Sequence, residues 1–161
     1  MSLERVMRFF KEPVLLMVGV RRAPVDSELA RNDFRELLRK AKRLVRYAAE
    51  QVKEPDLLSD LVNRGVKLQL IVGKSQDSML LARLQSKGVM VMEQVDVWRL
   101  ERKILSPFVI VDGTHTMRCD REDEMIPGRA EPRMQNITLN NTSVASIYDG
   151  IFKDLLRLST K

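Results

Sequence analysis

Phe108-Val-Ile-Val111 is a short, unbroken apolar run, and Asp112-Gly113 follows it with no spacer. Successive apolar positions suit a strand buried on both faces. Asp-Gly suits a two-residue turn in which both central residues need φ > 0. Thr114 to Arg118 then alternates and can return antiparallel. The stretch predicts a central hairpin, and the rest of the chain has to be arranged around it.

Upstream, strands and helices alternate. Val14 to Val20 is continuous and apolar, as in a buried strand, and Arg21-Arg22-Ala-Pro24 is expected to end it. Asp26 or Ser27 can cap a helix from Glu28 to Lys42, with Leu29, Phe34, Leu37, Leu38 and Ala41 as its buried stripe. Leu44 to Ala48 reads as a strand. Pro55 suits the first turn of a helix carrying Leu57, Leu58, Leu61 and Val62, and Gly65 suits its left-handed end. Val66 to Val72 alternates as a strand. Ser75 or Asp77 can cap a helix with Met79, Leu80, Leu81 and Leu84 inward. Val89 to Met92 predicts a fourth strand, and Val95, Val97 and Leu100 an edge strand or loop. This alternation is the signature of an α/β sheet.

Beyond the hairpin, Cys119 to Met134 is polar and holds Pro127-Gly128 and Pro132, which predicts a mobile loop. Ile137 to Leu139 is a last short strand. Asn141 or Thr142 caps a final helix whose Val144, Ile147, Tyr148, Ile151, Phe152, Leu155 and Leu156 form a broad stripe directed at the core. At the other terminus, Leu3 to Lys11 suits a short amphipathic helix or the tail of a linker. Residues 1–12 are therefore read as a linker or leader remnant, and 13–161 as one α/β domain.

Counts of residues narrow the chemistry. Cys119 is the one cysteine and His115 the one histidine among 161 residues. Internal disulfides, cysteine zinc sites, histidine relays and most catalytic triads are excluded by number, and the sequence calls for no metal and no cofactor. Carboxylates follow Cys119 at Asp120, Glu122, Asp123 and Glu124, so its thiol is expected to be an unreactive filler. No apolar run approaches the roughly 20 residues that span a membrane, and the N-terminus lacks a secretory layout, so the cytoplasm is the default. Net charge is +6, and the first 50 residues hold 12 Lys/Arg against 7 Asp/Glu. The helix over 28–42 and the strand after it place Arg35, Arg39, Lys40, Arg43 and Arg46 close together. This permits a nucleic-acid contact, but a solvated helix face is the commoner meaning of such a run.

The order Leu58–Val72, Gly88-Val-Met-Val, the strand ending in Val-Asp112-Gly113 and the closing Ile147–Leu156 is similar to one half of the phospholipase D superfamily, over roughly residues 35 to 160. The resemblance implies a mixed β-sheet flanked by helices on both faces. Enzymes of that family carry His-x-Lys-x4-Asp, in which the histidine attacks phosphorus and the lysine holds phosphate oxygens. Counted back from Asp112, the lysine position is Pro107 and the histidine position Leu105. Neither can perform those roles, so the expectation is a protein that is not an enzyme. His115 lies past the turn, on the wrong strand to replace the missing imidazole.

A phospholipase D-like domain without its catalytic pair resembles the C-terminal effector domains of archaeal TrmB-type transcriptional regulators. Val14 to Val20, the helix from Ser27 and the strand at Leu44 are similar to the segment with which those domains begin. This resemblance implies a ligand-sensing or dimerising domain, a homodimer, an upstream winged-helix DNA-binding domain in the full-length protein and a small-molecule effector. Lys103, Ser106, Arg118 and Asn140, near the degenerate motif, are the candidate ligand groups. The rival readings are a nucleic-acid-binding module using Arg35 to Arg46, a residual phosphodiesterase or nuclease, and a purely architectural dimerisation domain.

Overall fold

The computed structural model describes residues 19–87, 94–122 and 132–161. In chain order the elements are β1 (Gly19–Pro24), α1 (Glu28–Arg39), β2 (Leu44–Ala49), α2 (Pro55–Asn63), β3 (Lys67–Val72), α3 (Ser78–Lys87), β4 (Val95–Arg99), β5 (Phe108–Val111), β6 (His115–Cys119), β7 (Met134–Leu139) and α4 (Thr142–Leu158). The strands form one mixed sheet in the order β1-β7-β6-β5-β2-β3-β4. β2, β3 and β4 run parallel, while every pairing from β2 through β5, β6 and β7 to β1 is antiparallel.

The hairpin forms as its turn residues require. Asp112 and Gly113 have φ of 52° and 67°, and Phe108 to Val111 pair with Arg118 to His115. All four residues of β5 are buried, because the sheet is covered on both sides. Val45, Tyr47, Ala49, Val109, Val111, Met117 and Cys119 pack against α1, α2 and α3, in a cluster with Phe34, Leu37, Leu38, Leu58, Leu61 and Leu84. Ala48, Ile71, Phe108 and Ile110 face α4, in a second cluster with Ala145 and Phe152. Alternate positions of each strand thus supply the two cores.

The caps follow the expected chemistry. Ser27 Oγ accepts from Ala30 N at 3.1 Å, Asp77 Oδ1 from Met79 N at 2.9 Å and Asn141 Oδ1 from Val144 N at 3.1 Å. Each satisfies a backbone donor that the helix start leaves open. Pro55 opens α2, and Gly65 follows it at φ 88°.

Several expectations are revised. Arg21 to Pro24 do not end a strand; they belong to β1, in register with Ile137 to Met134 of β7. Two features make this workable. Arg21 Nε reaches Asp33 of α1 at 2.8 Å, and β1 is an edge strand, where a proline is tolerated. α1 stops at Arg39 rather than Lys42, because the amides of Lys42, Arg43 and Leu44 are taken by the Asp112 carboxylate. Leu29 and Met79 are exposed rather than inward.

The final helix differs most. Ala145 and Phe152 meet the sheet, while Ile147 and Ile151 are 65% and 42% exposed. A helix lying on one sheet face buries a stripe of roughly 100°, and the apolar residues of α4 span a wider arc. The expected strand over Val89–Met92, the helix over Leu3–Lys11, most of the strand over Val14–Val20 and the middle of the 119–134 loop fall outside the described residues. Cys119 and Met134, the ends of that loop, lie in β6 and β7. No helix among the described residues is long and apolar enough to cross a membrane.

Candidate functional site

β2 is the strand at which the sheet changes direction, with parallel β3 on one side and antiparallel β5 on the other. The connection from β2 to α2 leaves its carboxyl end beside the start of β5, and ligands in α/β sheets favour the carboxyl ends of strands where the strand order changes. A cavity of about 660 Å³ opens there on the α1 face. Its inner wall is Phe34, Tyr47, Ala49, Met117, Cys119 and Gln135, and its outer wall includes Glu50, Lys53, Lys103, Ile104, Pro107, Glu122 and Arg133. The volume lies within the roughly 300–1,000 Å³ common for small-molecule sites.

Glu50 is fixed at one side of the cavity. Its carboxylate accepts from Ser75 Oγ at 3.0 Å and from Ile104 N at 3.1 Å. Burial alone would raise its pKa, but the Ile104 and Ser75 hydrogen bonds, helped by the Lys103 ammonium, hold it below the ordinary carboxylate value. Gly73 makes this position available, since a Cβ there would fall 1.9 Å from Glu50 Oε2.

At the base, Tyr47 is fully enclosed. Its ring stands edge-on to Phe34 at 5.6 Å, and its hydroxyl accepts from Lys53 N at 3.2 Å. Burial drives the phenol pKa well up, so the hydroxyl stays protonated. Cys119 is buried beside it, with Sγ 3.6 Å from Met117 Sδ. Burial pushes the thiol pKa up, against the pull of Arg133 and Lys53. An inert thiol matches the sequence reading, although burial rather than the neighbouring carboxylates is the leading cause.

The segment from Leu105 to Pro107 reaches this cavity. Pro107 lines it, and the Leu105 carbonyl accepts from Glu122 N at 3.1 Å. Asp112 lies at the far end of β5. Its Oδ1 accepts from Arg43 N and Leu44 N and its Oδ2 from Lys42 N, each at 2.9 Å. Burial acts to raise its pKa, and those three amides, with Arg43, outweigh it and hold the carboxyl low. The turn alone does not account for this aspartate, which ties the hairpin to the start of β2. His115 is also at the far end. Its Nδ1 accepts from Asn140 N at 3.0 Å, and burial, then Lys40, lowers its pKa against an opposing Asp112.

The four candidate ligand residues are not brought together. Lys103 lines the cavity and pairs with Glu122 at 3.1 Å. Ser106 donates to the Cys119 carbonyl at 2.7 Å. Arg118 sits opposite Phe108, whose side chain belongs to the α4 side, and meets Asp120 at 3.4 Å. Asn140, at φ 52°, lies next to His115 at the turn end. Nearness in sequence to positions 105–107 groups residues that the pleat and the hairpin separate.

The basic set divides as well. Arg35 pairs with Glu54 at 2.9 Å and Arg39 with Glu36 at 3.0 Å. Arg46 lies on the α4 side, paired with Asp149 and 5.8 Å from the Phe152 ring centroid. Lys40 and Arg43 stand near the turn end, by His115 and Asp112. The residues that sequence reading missed are Tyr47, Glu50, Lys53 and Arg133. One signal was present: a hydroxyl in the middle of the otherwise inward-facing aliphatic positions of β2 needs a polar partner.

This sheet order, with helices on both faces, is a phospholipase D-like fold, and comparison with solved structures agrees. The chain superposes on TrmBL2, described as an archaeal chromatin protein with a novel mode of DNA binding, at a TM-score of 0.65 and 18% identity, over 98% of this chain and 59% of that one. It superposes on Nuc from Salmonella typhimurium, a phospholipase D family member, at 0.59 and 16% identity, over 88% and 95% of the two chains. NucT from Helicobacter pylori gives 0.59 and 14% identity, over 89% and 97%. The chain thus corresponds to less than two thirds of TrmBL2 and to nearly the whole of the two bacterial proteins. No protein-family model and no curated protein matches it in sequence.

Proposed function

We propose that this chain is a non-catalytic effector-sensing domain of a TrmB-like transcriptional regulator, and that its effector occupies the cavity beside Pro107. The observation that carries this reading is a cavity of about 660 Å³ at the sheet's change of direction, with proline and leucine at the positions where related enzymes hold lysine and histidine. The likeness to TrmBL2 supports a DNA-associated context. In that context an upstream winged helix reads the DNA, and this domain, in the cytoplasm, reports the ligand.

A screen of small metabolites by thermal melting tests the sensor. One that binds the folded state at 100 times its Kd stabilises it by about 2.7 kcal/mol. If nothing shifts the melting point, the sensor reading fails. Turnover of a generic phosphodiester substrate, abolished by a change in the cavity wall, would overturn the non-enzymatic reading; the likeness to Nuc and NucT makes that assay the proper control. The regulator context is checked on the full-length gene product, where a winged helix directly upstream is expected.

A second observation supports self-association. Ile147, Ile151 and Leu158 project from α4, at 65%, 42% and 57% exposure, and a row of large apolar side chains at helical spacing marks a contact surface. A second copy packed on this row would make the domain a homodimer. Sedimentation equilibrium would then show a dimer that Ile147→Glu with Ile151→Glu converts to monomer. A wild-type monomer at high concentration would refute it.

A further inference from the structure

Tyr47 is 2% exposed, and the one hydrogen bond at its hydroxyl among the described residues is accepted, from Lys53 N. A phenol can also donate, and this proton has no acceptor among the described residues. It is a buried donor on the wall of an open cavity.

Two cations share its surroundings. Lys53 and Arg133 line the same cavity as Tyr47 and Cys119, and both act on the Cys119 thiol. Among the described residues, neither Lys53 nor Arg133 has a carboxylate within ion-pair distance; Arg133 Nε donates to the Asp120 carbonyl at 3.3 Å and leaves its terminal N–H groups over. Of the carboxylates on the cavity wall, Glu50 accepts from Ser75 Oγ and Ile104 N and Glu122 pairs with Lys103, while Asp26 is exposed. Glu54 is held by Arg35, and Asp120 accepts from Met134 N at 3.0 Å and faces Arg118.

We propose that this cavity binds an oxyanion borne by a small ligand, a carboxylate or a phosphate, with the Tyr47 hydroxyl, the Lys53 ammonium and the Arg133 guanidinium as its donors. This rests on the cavity being the effector site. Three donors, two of them charged, give short, strong hydrogen bonds to an anion. The Phe34, Met117 and Pro107 walls suit an apolar body behind the anionic head, which distinguishes this ligand from a free ion held at a surface.

Calorimetric titration of the protein with inorganic phosphate and, separately, with malonate, both at ionic strength matched with chloride, tests the proposal. Saturable binding of at least one anion is expected, and the preferred one identifies the head group. Lys53→Gln, Arg133→Gln and Tyr47→Phe should each weaken it about tenfold, the scale of one hydrogen bond to a charged group. Arg22→Gln, on the exposed edge strand, should leave it unchanged. Lys53 and Arg133 are accessible enough for their variants to fold, so the result does not depend on the buried tyrosine. Binding of neither anion, or binding indifferent to all three variants, overturns the oxyanion. Neutral compounds separate that failure from a failure of the sensor. A neutral molecule that shifts the wild-type melting point but not that of Pro107→Trp would leave the cavity an effector site with a different ligand. No shift from any compound would remove both readings.

Discussion

The two ends of β5 contrast in how their polar groups are used. At the turn end, the Asp112 carboxylate takes three backbone amides, His115 Nδ1 takes the Asn140 amide, and the Thr114 carbonyl takes the Asn141 amide at 2.9 Å. These groups complete the backbone hydrogen bonding of neighbouring segments. At the other end, Tyr47, Lys53 and Arg133 keep donors that no described residue accepts. One end is built for stability and the other leaves hydrogen-bonding capacity for something outside the chain. Asp112 belongs to the first end, and Pro107, on the cavity wall, to the second.

The largest effect should come from the turn end. Asp112→Ala strands three amides, of which the Leu44 amide is the least accessible to water. A loss of about 3 kcal/mol is expected, below the sum for three charge-assisted bonds because water reaches the other two. Urea midpoints measure it, and a loss under about 1 kcal/mol would mean the turn end is not the stabilising one. Gly73→Ala should follow, at about 2 kcal/mol, the cost of overpacking, because its Cβ would occupy the place of the Glu50 carboxylate. It would release Ser75 and Ile104 N and so loosen the cavity wall, which proteolysis near residue 104 would detect. Tyr47→Phe should cost no more than about 1 kcal/mol in the ligand-free protein, since the Lys53 amide that loses its acceptor sits on an exposed residue. A loss as large as that from Asp112→Ala would cancel the contrast between the ends.

The two ends were not equally legible in the sequence. Asp112-Gly113 announced the hairpin because few dipeptides satisfy two positive φ angles, and that requirement is local. Strands β2 and β3 and the caps at Ser27, Asp77 and Asn141 were legible for the same reason, since periodicity and capping act within a few residues. The cavity was not. Tyr47 with Lys53, Cys119 and Arg133 come from three separate segments, and only the crossing of β2 to β5 and the return through β6 and β7 place them on one cavity. Proximity in sequence to Leu105 and Pro107 pointed instead to Ser106 and Arg118, one held by the Cys119 carbonyl and the other placed by the pleat on the α4 side. The exposed row on α4 was missed for a related reason: apolar content shows that a helix has a face to bury, but not how much of it a single sheet can cover.

The smallest effect tests the turn end by pH. Burial, reinforced by Lys40 and opposed by Asp112, places the folded His115 pKa below the ordinary value, which is about 6.5 in an unfolded chain. Between the two values the unfolded chain holds the proton more readily, so stability rises with pH there. The contribution of neutral His115 is therefore complete above about pH 6.5 and is lost as pH falls from there through the folded value. Protonation turns Nδ1 from acceptor to donor and breaks its bond from Asn140 N, next to the Asn141 cap of α4. Melting points of wild type and His115→Gln between pH 7.5 and 5 should diverge, with wild type falling more, because glutamine can accept from Asn140 N without titrating. Parallel curves would show that this histidine takes no part in holding the turn end together, and would confine that end's stabilising work to Asp112.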